Sequence, residues 1–220
     1  MANPDTPFGL RPVRHKSGAP YNGAANPYVI EAADGTATFI GDPVVRIAGG
    51  SNTAAVAVPG AGTFAIGTLP SVIRTAVGTV DGATKVITGV VVGVAADPTN
   101  LENKHRVAST QRVVWVCDDP DIVFEIQADG AIPAASVGLN ATIIATHAGD
   151  TVTGLSGIEL DTTSAAPAAD LSDQLRIVRA VNREDNDTTL THAKVEVVIT
   201  QHTEASNFFA HDGTAGTLGI

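Results

Sequence analysis

Aromatic side chains are scarce: 4% of 220 residues, with one Trp and two Tyr. A core without rings to stack rests on small β-branched and aliphatic residues, and carbohydrate recognition, which leans on exposed aromatics, has little to use. Charge is also sparse, 16% of residues, where about a quarter is usual for a soluble domain. That thinness leans toward a chain that hides part of its surface in an assembly. The single Cys117 excludes an intrachain disulfide and lies in a strand pattern, the setting of a buried inert thiol. The longest apolar run, residues 86–96, is too short and too broken by Gly to span a membrane. The opening MANPDTPFG has no apolar stretch of the signal-peptide kind, so a soluble chain made in the cytosol is expected. A net charge of −10 and a pI near 4.8 argue against nucleic acid as a direct partner, because phosphate binding needs clustered Lys and Arg.

What the chain has in quantity is turn formers: 22 Gly and 12 Pro, set between short runs of Val, Thr and Ala. At this length it forms one substantial β domain or two small ones, dividing near residues 97–111. The strongest signal is RVVWVCDDPDIVFEIQ, residues 112–127. Ile122, Phe124 and Ile126 share one face and Val123, Glu125 and Gln127 the other, the period-2 pattern of a half-buried strand. Before the turn, Val113, Trp115 and Cys117 share a face while Val114 and Val116 make the other apolar too, so that strand is buried on both sides. Asp118, Asp119, Pro120 and Asp121 are turn formers, and the two runs read as a β-hairpin at the centre of the core.

Other runs fit the same rhythm. Residues 85–94, KVITGVVVGV, predict a central strand in which Gly89 and Gly93 mark close backbone approach or a bulge. Residues 192–200 predict a late strand with Ala193, Val195, Val197 and Ile199 facing in. The polar loop of residues 182–187 precedes it. No repeat of fixed period is visible. The fold class predicted is all-β: a sandwich or barrel of roughly ten short strands over residues 28–204, with an extended arm at residues 1–27 and a flexible Gly/Thr-rich tail at residues 205–220.

The arm holds Pro4, Pro7, Pro12, Pro20 and Pro27, too closely spaced for a helix or a central strand. Phe8, Leu10, Val13 and Tyr21 are strung along it as apolar anchors, with Arg11, Arg14, His15 and Lys16 between them. A disordered terminus is one reading. Four large apolar residues among basic ones favour the other, an arm that orders on a neighbouring protein.

Chemistry is harder to find. Asp118, Asp119 and Asp121 offer oxygens to a hard cation, but the spacing lacks the Gly and Glu of a calcium loop and reads as a solvated turn. His15, His105, His147, His192, His202 and His211 show no paired metal-ligand spacing, and His192 and His202 stand at opposite ends of one strand. There is no nucleophile elbow and no phosphate loop. The sequence assigns no catalytic residue, metal ligand or cofactor.

Several segments together resemble a family of tailed-bacteriophage structural proteins, the head decoration or cement proteins. They are ANPDTPFGLRPVRHKSGAPYNG at the start, the RVVWVCDDPDIVFEIQ core, SVGLN at residues 136–140, LSGIELD at 155–161 and LRIVRAVNREDND at 175–187. The resemblance implies a non-enzymatic protein on the capsid exterior of a virion, made in the bacterial host cytoplasm. Its implied partner is the major capsid protein, and its implied state is a homotrimer over local three-fold axes. On that reading Phe8, Leu10, Arg11, Val13, Arg14 and His15, with Tyr21 nearby, are placed at the capsid contact. Three modest arm contacts then add by avidity. A phage tail or host-recognition β protein is the alternative, and a tail fibre more often carries repeats and a long stalk.

Overall fold

The computed structural model describes residues 2–75, 86–145, 147–170 and 172–205. The tail from residue 206 onward, with Phe208 and Phe209, lies outside them. The fold is all-β, as the composition requires. Among the described residues, nine strands have five or more residues: β1 (Arg11–His15), β2 (Asn26–Ile30), β3 (Pro43–Ser51), β6 (Pro70–Arg74), β7 (Gly89–Val94), β8 (Arg112–Cys117), β9 (Ile122–Gln127), β13 (Leu175–Ala180) and β14 (Lys194–Ile199). Five are shorter: β4 (Val56–Val58), β5 (Gly62–Phe64), β10 (Asn140–Ala141), β11 (Ile143–Ile144) and β12 (Glu159–Leu160).

Of the two architectures named as alternatives, the barrel is present, beside a separate open sheet. Strands β2-β6-β3-β7-β8 close into a barrel, and β1-β9-β14-β13-β10 form a five-stranded sheet. The barrel interior is filled by Tyr28, Ile30, Val44, Val72, Val91, Val114 and Val116, mostly valines, which suit so narrow a bore. Outside it, Val113 packs with Val29, Val56, Val58 and Leu69, and Trp115 lies against them, under the β4-β5 ribbon. The sheet buries Phe124, Ile126, Leu175, Ile177, Val195 and Val197 in a cluster that also takes in Val90 and Cys117 from the barrel, so the two layers share one core.

The expected hairpin does not form. β8 pairs with β2 and β7 in the barrel, and β9 pairs with β1 and β14 in the sheet. Both edges of each strand are already occupied, and the Asp-rich turn carries the chain from one layer to the other. The double-sided burial of β8 is nonetheless as expected: its alternate residues fill the barrel and cover its outside. The two glycines of β7 also behave as their spacing suggests. A Cβ on Gly89 would lie 2.4 Å from the Cys117 carbonyl oxygen, and the β7-β8 register shifts between Val91 and Gly93. Ala193, Val195, Val197 and Ile199 face the core. β9 departs from the half-buried pattern, since all six of its residues are buried.

Candidate functional site

The second face of β9 is covered by the N-terminal arm. β1 runs antiparallel to β9, pairing Arg11 with Glu125 and His15 with Ile122. Leu10, 1% exposed, enters the sheet's core and its N–H donates to the Gly41 carbonyl. The two segments approach too closely here for a side chain: a Cβ on Gly9 would stand 2.4 Å from Gly41 O, and both residues have positive φ. Nearer the terminus, Asn3 donates to the carbonyls of Asp187 and Thr191 and accepts from the Asp187 N–H. The arm is extended, as its prolines dictate, but it orders on its own domain.

Charge explains the docking. Glu125 of β9 and Glu196 of β14 are direct cross-strand partners on the face away from the core, an arrangement that is unfavourable for like charges. Each carboxylate is met by two guanidinium groups. Arg11 reaches Glu125 at 2.8 Å and Arg183 reaches it at 3.0 Å. Arg14 reaches Glu196 at 2.7 Å and Arg179 at 2.6 Å. Burial pushes the Glu196 carboxyl up, but the hydrogen bonds of Arg179 and Arg14 outweigh it and hold the group below its ordinary value. Of the four arginines, two thus come from the arm and two from β13 and the loop after it.

The clamp is layered. The carboxylates lie underneath, with side chains 6% and 12% exposed, while Arg11 and Arg179 remain 53% and 58% exposed. Arg176 of β13 is exposed too. The exposed Arg11, Arg176 and Arg179 outnumber the exposed carboxylate beside them, Asp185, which pairs with Arg183. Phe8 lies beneath the Arg11 guanidinium, 4.8 Å from ring centroid to Cζ. Among the residues placed at the capsid contact from sequence, Leu10 is interior, Arg11 is exposed, and Phe8, Val13, Arg14, His15 and Tyr21 are half-buried. Tyr21 packs on the sheet core, and burial and the nearby Cys117 push its hydroxyl up to about 12.

The acidic turn is also engaged by the arm. Lys16 Nζ donates to the Pro120 carbonyl and to Asp121, and His15 lies 3.4 Å from Asp119. Asp118 accepts from Asn26 and from the Tyr28 hydroxyl. Cys117, next to it, is buried, and desolvation pushes its thiol up to about 11, which removes it as a nucleophile near neutral pH.

A second polar cluster forms where the arm crosses the other end of β9, and sequence spacing gave no sign of it. Asp5, Glu159 of β12 and His192, in the turn before β14, bring one ligand-type atom each within 4.8 Å of the others. His192 Nδ1 is 3.6 Å from Asp5 Oδ1 and 3.8 Å from Glu159 Oε1. His147 Nδ1 lies 3.0 Å from the second oxygen, Glu159 Oε2. Burial raises the Glu159 pKa and Asp5 raises it further, against the pull of the two histidines. These residues come from four separate segments, and only the fold assembles them. Comparison with family models, curated proteins and solved structures finds no match for this chain.

Proposed function

We propose that this chain is a non-enzymatic virion structural protein of the decoration class. It binds the outer surface of a tailed-phage capsid, through the major capsid protein, and stabilises the junctions between capsomers as a homotrimer. The family resemblance suggests the class. The observation that carries the binding face is the layered clamp: arginines at the surface over buried carboxylates, on a chain of net charge −10. Such a face is attracted to an acidic partner surface, and because the arm is already ordered, binding does not have to pay for ordering it. Phe8, Arg11, Val13, His15 and Tyr21 contribute from the arm, joined by Arg176 and Arg179 from β13. Leu10 and the inward head of Arg14 hold the arm in place instead.

The test is co-sedimentation of the purified protein with expanded, undecorated heads, followed by thermal rupture of those heads. Saturable binding that raises the rupture temperature, weakened in Arg11→Ala and Arg176→Glu, is the expected result. Deleting residues 1–16 is a poor probe, because it also strips Leu10 from the core and two arginines from the clamp. No binding by a stable free trimer would overturn the proposal and move the function to a tail or host-recognition role.

A further inference from the structure

We propose that Asp5, Glu159 and His192 form a binding site for a divalent transition cation of the zinc class. The donor set is the first argument. One imidazole nitrogen with two carboxylates suits zinc and its neighbours, whereas calcium and magnesium prefer an all-oxygen shell. The spacing is the second. Two ligands of a tetrahedral zinc, each at about 2.0–2.1 Å, stand roughly 3.3–3.4 Å apart. The His192–Asp5 and His192–Glu159 separations of 3.6 and 3.8 Å need to close by a few tenths of an ångström, and the three ligand atoms, all within 4.8 Å of one another, would draw together around the ion.

The third argument is independent of both. The Glu159 side chain is 3% exposed, and its Oε1, which faces His192, has no hydrogen-bond partner among the described residues. His192 Nδ1 is buried and likewise finds no hydrogen-bond partner among them. A buried carboxylate oxygen left without a donor is costly, and a cation between these atoms would satisfy both.

The surroundings hold the three ligands in place. His147 occupies Glu159 Oε2, which leaves Oε1 turned toward the cluster, the kind of outer contact that orients metal ligands. Gln127 Nε2 lies 3.5 Å from Asp5 Oδ1. Asn3, two residues before Asp5, is bonded to the carbonyl of Thr191, next to His192, so the arm's register against this turn is set. Three protein ligands leave a fourth position for water. Because Asp5 belongs to the arm while Glu159 and His192 belong to the body, a bound cation would cross-link the two.

The experiment uses the full chain, freed of metal with a chelator and titrated with Zn²⁺ against a chromophoric competitor. One tight equivalent per chain is expected, with Mg²⁺ and Ca²⁺ failing to displace it. Asp5→Asn and His192→Asn should each weaken that equivalent by at least the about 100-fold that loss of an outer-shell contact can cost. Asp5 is exposed, and Asn tolerates the positive φ of His192, 61°, so both variants should melt like the parent in chelator. Co²⁺ in place of Zn²⁺ should give four-coordinate visible bands that both variants lose. Absence of a tight equivalent, equal affinity in the folded Asp5→Asn variant, or a preference for Ca²⁺ would each overturn the assignment. The measurement is made on the free protein, so its outcome is independent of whether the protein binds heads.

Discussion

Leu10→Ala separates two roles for the arm. If Leu10 belongs to the core, its truncation removes a fully buried side chain from a cluster that includes Ile122, Phe124, Ile126 and Val197. Such a change costs about 2–5 kcal/mol, the lost transfer energy plus the cavity left behind. Taking about 3 kcal/mol, the melting temperature of a domain this size should fall by roughly 6–12 °C. The backbone bond from Leu10 N–H to Gly41 survives the substitution, so the loss reports packing. Urea unfolding followed by fluorescence should show a lower midpoint at an unchanged slope. Lys16→Ala, on the same arm, is the control. Lys16 and its partner Asp121 are both largely exposed, and such a pair is worth at most about 1 kcal/mol. The reasoning fails if Leu10→Ala melts with the parent and yet loses head binding, because Leu10 would then act on the partner rather than at home.

Two further outcomes follow from particular contacts. Gly89→Ala should destabilise by roughly 3 kcal/mol or unfold the barrel, because the new methyl meets the Cys117 carbonyl at 2.4 Å; Gly93→Ala, whose nearest neighbour is a Trp115 ring carbon at 3.5 Å, should be tolerated. The opposite order of melting temperatures would refute the packing of β7 on β8. His202 is buried, and desolvation pulls its pKa down from 6.5 to about 4; its Nδ1 accepts from the Glu204 N–H, a bond the neutral ring can make. The unfolded chain therefore binds the proton first, so stability should fall as pH drops from about 6.5 to 4, by about 3 kcal/mol. His202→Gln should flatten that part of the stability curve, and an unchanged slope would refute it.

Some of this was legible because periodicity counts buried faces. The inward set of β14, the two apolar faces of β8 and the tight contact at Gly89 are local facts, written in the order of small and branched side chains. Periodicity does not say which strand lies alongside. Asp118, Asp119, Pro120 and Asp121 read as a turn and do turn the chain, yet the same residues serve a hairpin or a crossing between layers. The choice is made by β1, β2, β7 and β14, whose claims on the edges of β8 and β9 are long-range. The Asp5, Glu159 and His192 cluster was invisible for a related reason: no spacing rule links residues so far apart in the chain.

Glu125 shows how a misread position alters the functional reading. On an alternating strand it looked like the solvent face, which left the arm's arginines free to seek a partner. In the fold it is a buried carboxylate beside a second one, Glu196, and the nearest remedy for that repulsion is the chain's own basic segment. The arm's charges are therefore not spare. What a partner meets is the outer surface of arginines that have already been neutralised from below, together with side chains of β13 that the arm does not contain. A binding face built this way belongs to the folded sheet, and it cannot be removed or transplanted as a terminal peptide. An isolated peptide of residues 2–23 should accordingly fail to compete with the intact protein for heads.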